Sequence, residues 1–132
     1  MICCALDMKF WPEVKPLIEE ALLGDDRLTI DEIKQEIEEN KMQLWGIHDG
    51  ILRAVMVTTI VDYLNVRAVR IVTVTGKDAE QWLDVLIHTL EQWGGEHGAH
   101  ILEFTGRKGW EKVLTKYGWG ETRISMSKPI TA

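Results

Sequence analysis

A chain of 132 residues, 45% hydrophobic and 27% charged, has ordinary globular composition and suits one domain with a buried core. Its 21 acidic against 15 basic residues give a net charge of −6, which argues against a dedicated nucleic-acid binder, whose affinity needs cations clustered on phosphates. No apolar run reaches the roughly 20 residues of a bilayer span, and MICCALDMKFWPEV lacks a basic region followed by an apolar core, so neither membrane partner nor signal peptide is expected and a cytoplasmic setting is.

MICCAL reads as a short strand. Its adjacent cysteines, Cys3 and Cys4, can build neither a disulfide framework nor a zinc site and read as small apolar strand residues. FWPEVKPLIEEALLG reads as a helix, with Phe10, Trp11, Val14, Leu17, Ile18, Ala21 and Leu22 at helical spacing and Gly24 as its C-cap. TIDEIKQEIEENK opens with Thr29 as N-cap and Asp31 and Glu32 in the first turn. Only Ile30, Ile33 and Ile37 are apolar there, so this helix is expected at the surface.

Three strand-like runs follow. MQLWGIH and ILRAVMVTTIVDY flank Asp49-Gly50, a strong hairpin signal, and VRAVRIVTVTG comes after YLN. The second and third runs are long and β-branched, as suits central strands covered on both faces. KDAEQWLDVLIHTLEQWGG is the clearest helix, with Ala79, Trp82, Leu83, Leu86, Ile87, Leu90 and Trp93 on one face and Gly94-Gly95 as its stop. HILEFTG reads as a strand, RKGWEKVLTKYG as a helix with Trp110, Val113, Leu114 and Tyr117 on one face, and ETRISMSKP as a final strand. The order β, α, α, β, β, β, α, β, α, β describes one α+β domain over residues 1–132.

That order, together with the ending KYGW (Lys116–Trp119), resembles the GCN5-related N-acetyltransferase (GNAT) family. The likeness covers nearly the whole chain in topology and mainly residues 66–120 in sequence. ILEFTGRKGWEKVLTKYGW and MQLWGIHDG look like small GNAT-like proteins of tailed bacteriophages. The resemblance implies a single GNAT-like domain with a mixed, mostly antiparallel central sheet flanked by helices. It also implies acetyl-CoA as the cofactor, if any. Val72, Val74 and Thr75 would offer backbone to the pantetheine arm. Gly76, Lys77, Asp78 and Ala79 would form the pyrophosphate loop at the start of the main helix, where free N–H groups and the helix dipole attract an anion.

The sequence departs from the family pattern in two places. TVTGKDAEQWLDVL has one glycine, Gly76, and no arginine, while Glu80 and Trp82 fall near the paired-glycine positions. Gly76–Ala79 therefore reads either as a shortened coenzyme A loop, with Lys77 as compensating charge, or as an ordinary turn with Asp78 as N-cap. Active members often carry a general-acid tyrosine four residues before the final helix's glycine, which is Leu114 here; Tyr117 reads either as a displaced acid or as a core tyrosine. Arg107 replaces an asparagine that often opens this helix; Arg107 and Lys108 remain contact candidates. Glu103, Asp62 and His48 are the candidate general bases. Glu103 shares a face with Ile101 and Thr105 and could also pair with Arg67, Arg70 or Arg107.

Other features carry less. His97 and His100 lack a third ligand type, so no metal site is expected. His88 is expected to be solvated, and Asp25-Asp26 reads as a loop pair. Trp45 and Trp119 are candidates for a cleft or an interface. The departures favour a bacteriophage-type GNAT-fold protein with degenerate or absent acetyltransferase activity. It would act through protein contacts, with a virion component or a host protein as partner, in the host cytoplasm or the virion. The alternative is an active acetyl-CoA-dependent N-acetyltransferase on an amine.

Overall fold

The computed structural model describes residues 1–23, 27–105, 109–120, 126 and 128–130. Strand β1 (Ile2–Ala5) leads through a 3-10 turn (Met8–Phe10) into helix α1 (Trp11–Ala21). Helix α2 (Ile30–Glu38), strands β2 (Gln43–His48), β3 (Leu52–Asp62) and β4 (Arg67–Gly76), helix α3 (Ala79–Glu96), strand β5 (Ile101–Phe104) and helix α4 (Gly109–Thr115) follow. The strands form one sheet in the order β1-β2-β3-β4-β5, antiparallel up to β4 and parallel between β4 and β5. This is the mixed α+β architecture that the sequence pattern predicts. The expected strand over 121–129 falls largely, and the expected cap at Gly24 and loop pair Asp25-Asp26 wholly, outside the described residues.

Helices cover both sheet faces. On one side Trp11, Val14 and Ile18 of α1 and Ile33 and Ile37 of α2 pack on Leu44, Val55 and Val57. On the other, Trp82, Leu83, Leu86, Ile87 and Leu90 of α3 and Leu114 of α4 pack on Trp45, Ile47, Met56, Val69 and Ile71. Strand β3 is thus sandwiched, and its run Ala54–Thr58 is buried throughout, as its β-branched sequence requires. Phe10 and Leu17, read from periodicity as core positions of α1, are more than a third exposed. Trp45 is a core residue rather than a cleft residue. It meets Trp93 edge to face, and its Nε1 donates to Thr58 Oγ1 at 2.9 Å.

Local chemistry sets the ends. The Thr29 hydroxyl accepts from the Glu32 N–H at 3.2 Å, which caps α2. The β2–β3 loop carries Gly50 at φ +98, open only to glycine at low cost. The expected stop at Gly94-Gly95 is overturned: α3 runs on through both. A Cβ on Gly94 would sit 2.9 Å from Val69 Cγ2, so this glycine lets the helix press against β4. The true stop is Gly98, at φ +78, where the Ala99 N–H reaches the Gly94 carbonyl and the Gly98 N–H the Gly95 carbonyl. The same pair of bonds recurs after α4, from Trp119 to Leu114 and from Gly118 to Thr115. The KYGW ending is therefore a helix C-cap built on Gly118.

Candidate functional site: a fork between two parallel strands

Strands β4 and β5 run side by side from Ala68/Ile101 to Ile71/Phe104 and pair no further. Strand β4 continues to Gly76. Five residues, Val72–Gly76, therefore have β3 on one edge and no strand partner on the other among the described residues. At ~3.3 Å per residue this leaves about 16 Å of strand edge. The point of divergence is also a β-bulge: Val57 pairs with Thr73 and Thr58 with Ile71, so Val72 is the extra residue. Val72 packs toward α1, whereas Val74 packs toward α3. Thr75 stands opposite Val55 and so shares the α1 face. Val72, Val74 and Thr75 all lie on the open part of β4, where the resemblance expects a backbone edge.

Beyond this edge the chain turns into α3. Gly76 is needed for a packing reason: a Cβ there would lie 2.6 Å from the Arg53 carbonyl oxygen and 2.7 Å from Ala54 Cβ. Asp78 takes the N-cap position but adopts the left-handed conformation, φ 56 and ψ 53, and its side chain makes no cap hydrogen bond. The Trp82 indole lies on the core side of the helix, not in the loop. Its Nε1 donates to the Lys77 carbonyl at 2.7 Å and fixes the turn from beneath. Asp78, Ala79 and Glu80 make up the start of the helix, so two carboxylates stand where an anion would dock. Lys77 and Arg53 are the cations of this corner, and Arg53 is held by Asp49 at 2.8 Å.

Where the strands part, the opposite face carries a polar cluster. Arg70 and Glu103 are neighbours in the parallel ladder, one rung before the fork opens. Arg70 Nε donates to Glu103 Oε1 at 2.8 Å. The Tyr63 hydroxyl, from the β3–β4 hairpin, lies 2.7 Å and 2.9 Å from the two Glu103 oxygens and accepts from Arg70 Nη2 at 2.9 Å. Partial burial works against charge on Arg70, but the bonds to Glu103 and Tyr63 outweigh it and raise its pKa above the ordinary arginine value. Of the three candidate bases, only Glu103 stands at the fork. Asp62 is bound to Arg67 at 2.6 Å at the far end of β4, and His48 on β2 has Cys4 Sγ at 3.4 Å. Tyr63 was missed in the sequence; only its place at the hairpin end, seven residues before Arg70, hinted that it could fold back.

Tyr117 lies just past α4, on the side facing α3. Loss of solvent, the Asp84 carboxylate hydrogen-bonded to it and nearby Glu80 raise its pKa above the ordinary tyrosine value. Leu114, four residues before Gly118, is buried in the α3-side core. On that side Phe104 and Trp110 pack edge to face, and a cavity of ≈ 10 Å³ is left among Ile71, Val74, Leu86, Phe104 and Trp110. Arg107 and Lys108 lie outside the described residues. Among the described residues no group of three His, Cys, Asp or Glu side chains could hold a metal ion; the His97 ring stacks on Trp93 instead.

With a bulged β4, a parallel β5 and a helix rising from the end of β4, the chain has the fold of the GNAT acetyltransferases. Similar solved structures include a ribosomal-protein-alanine N-acetyltransferase from Brucella melitensis biovar Abortus 2308. It has a TM-score of 0.77 and 14% identity, with 98% of this chain and 100% of that chain covered. AAC(6')-Iy in complex with the bisubstrate analog CoA-S-monomethyl-acetylneamine superposes with TM-score 0.75 at 15% identity, covering 98% and 97%. A predicted acetyltransferase with acetyl-CoA from Clostridium acetobutylicum gives 0.70 at 14% identity, covering 96% and 94%. No protein-family model matches the sequence, and no curated protein does.

Proposed function

We propose that this chain is an acetyl-CoA-dependent N-acetyltransferase acting on an amine. The observation that carries the reading is the fork: a bulged β4 that outruns β5 by five residues and so keeps a backbone edge for an amide-rich ligand. The solved structures with acetyl-CoA or a coenzyme A analog share this fold. The fit to acetyl-CoA is uneven along its length. The edge Val72–Gly76 suits the pantetheine arm, whereas Asp78 and Glu80 at the start of α3 oppose a pyrophosphate and leave Lys77 and Arg53 to offset them. Acetyl-CoA would supply the activated acyl thioester. Glu103 would accept a hydrogen bond from the amine nitrogen and take up its proton as the C–N bond forms and the thioester C–S bond breaks, with coenzyme A leaving as its thiolate, and Arg70 and Tyr63 hold the carboxylate in place.

Thermal melting with and without millimolar acetyl-CoA tests the reading. A ligand at ~100 times its dissociation constant adds about 2.7 kcal/mol of stability. A clear rise in Tm that shrinks in Lys77→Glu supports it, and an unchanged Tm overturns it.

A second reading rests on the filled α3 side of the fork. Phe104 and Trp110 leave only ≈ 10 Å³ there, no more than one water occupies, and Leu114 stands where a general-acid tyrosine would. Both favour a GNAT-fold protein without transfer activity, and under this second reading we propose that it works through protein contacts, with a virion component or a host protein as the partner that the bacteriophage resemblance would imply. An unchanged Tm with acetyl-CoA is its expected result.

A further inference from the structure

The guanidinium of Arg70 is fixed on one edge and open on the other. An arginine has five N–H donors in a rigid plane. The structure uses two of Arg70's, Nε to Glu103 and one Nη2 proton to Tyr63. The outer fork, Nη1 and the second Nη2 proton, has no partner among the described residues, and the side chain is 42% exposed. Its neighbour across the β3–β4 ladder is Thr59, whose hydroxyl is spent on the Lys41 carbonyl at 2.8 Å. Among the described residues Glu103 is the only carboxylate bonded to Arg70, and it sits on the inner edge. The outer fork thus offers two parallel N–H groups, already oriented, to a planar oxyanion. A carboxylate matches that geometry with two hydrogen bonds.

We infer that Arg70 is the specificity residue of an acceptor site at the fork, and that the acceptor is a small amine bearing a carboxylate, an amino acid. This rests on the N-acetyltransferase reading above and names its substrate class. The carboxylate takes the outer fork of Arg70, and the amine nitrogen turns toward Glu103 Oε2, whose single partner among the described residues is Tyr63. The inner bonds to Glu103 and Tyr63 freeze the guanidinium before the acceptor arrives, so less side-chain freedom is lost on binding. A neutral or purely cationic amine gains nothing from the outer fork and meets a cation beside the carboxylate it needs.

Two measurements test this on the full chain. The first follows the Arg70 Nε–H resonance, assigned through its loss in Arg70→Lys, during titration with glycine and with glycinamide at matched ionic strength. Glycine should shift it saturably, with a Kd on the order of 10 mM, and glycinamide should not. No shift with glycine, or an equal shift with glycinamide, overturns the inference. The second compares acetyl transfer to free amino acids and to their amides by mass spectrometry. The acids should be favoured by about tenfold or more in kcat/KM, and the ratio should collapse in Arg70→Lys and Arg70→Gln through a higher KM for the acids. A ratio unchanged in both folded variants overturns it. If acetyl-CoA fails to raise Tm while glycine still moves Arg70, the transferase reading fails and the carboxylate site stands. If acetyl-CoA binds and glycine moves nothing, only the acceptor class fails.

Discussion

The two faces of the β4–β5 fork are built from opposite materials. The face toward α3 and α4 is core: Ile71, Val74, Phe104 and Trp110 close it down to ≈ 10 Å³, and Trp82 braces the turn below. The face toward α1 is polar where the strands part, with Arg70, Tyr63 and Glu103 joined by four hydrogen bonds at 2.7–2.9 Å. The first face protects stability; the second spends hydrogen bonds to orient charge in a half-exposed place. The contrast teaches that the polar face, which the proposed function gives to the acceptor, is more fully built than the end of β4 proposed for the cofactor. The departures from the family pattern fall at the start of α3 and in α4.

Substitutions can break that contrast. The largest effect is expected from Trp82→Ala, which removes a fully buried indole and the brace on Lys77. It should cost about 3–5 kcal/mol in chemical denaturation. A loss under 1 kcal/mol would show that this face is not core. Glu103→Gln acts in the opposite sense: about hundredfold off kcat/KM for an acceptor amine, with stability changed by about 1 kcal/mol or less, as its partner Arg70 is half exposed. Equal loss of stability and activity would make the cluster a structural tie only. Gly76→Ala should cost about 1–3 kcal/mol, because the new methyl meets the Arg53 backbone and not a yielding side chain. Tyr117→Phe should leave kcat well short of the hundredfold loss that a general acid gives.

The smallest effect is a pH dependence on the core face. Burial pushes the Cys3 thiol from 9.0 up to about 11, while a hydrogen bond with Thr89 pulls the other way. A raised folded pKa favours the protonated form, so this contribution is present below pH 9.0 and is lost as pH rises toward 11. Denaturation midpoints should fall across that window and fall less in Cys3→Ala; an identical fall in both would remove Cys3 as a cause.

Much of this was legible in the sequence, and the misses have physical reasons. The Asp49-Gly50 hairpin, the Thr29 cap and the β-branched β3 follow from local rules, and the structure has them within a residue or two. The end of α3 was misplaced because Gly94 breaks helices by propensity, while here tertiary packing against Val69 selects it. The alternation of HILEFTG put Glu103 on the face opposite Leu102 and Phe104, where it stands. The sequence leaves its partner among three arginines, because register between parallel strands is not written in either one. The bulge at Val72 left no mark at all in a run of β-branched residues.

That bulge has a consequence for the rest of the strand. Before it, odd-numbered Val69 and Ile71 face α3; after it, even-numbered Val74 does. Val72 therefore works as a one-residue phase shifter, and the two halves of β4 are written in opposite parity. Deleting Val72 would join Ile71 directly to Thr73 and restore plain alternation, so residues 73 to 76 would keep their faces and only the local bend and twist of the bulge would be lost.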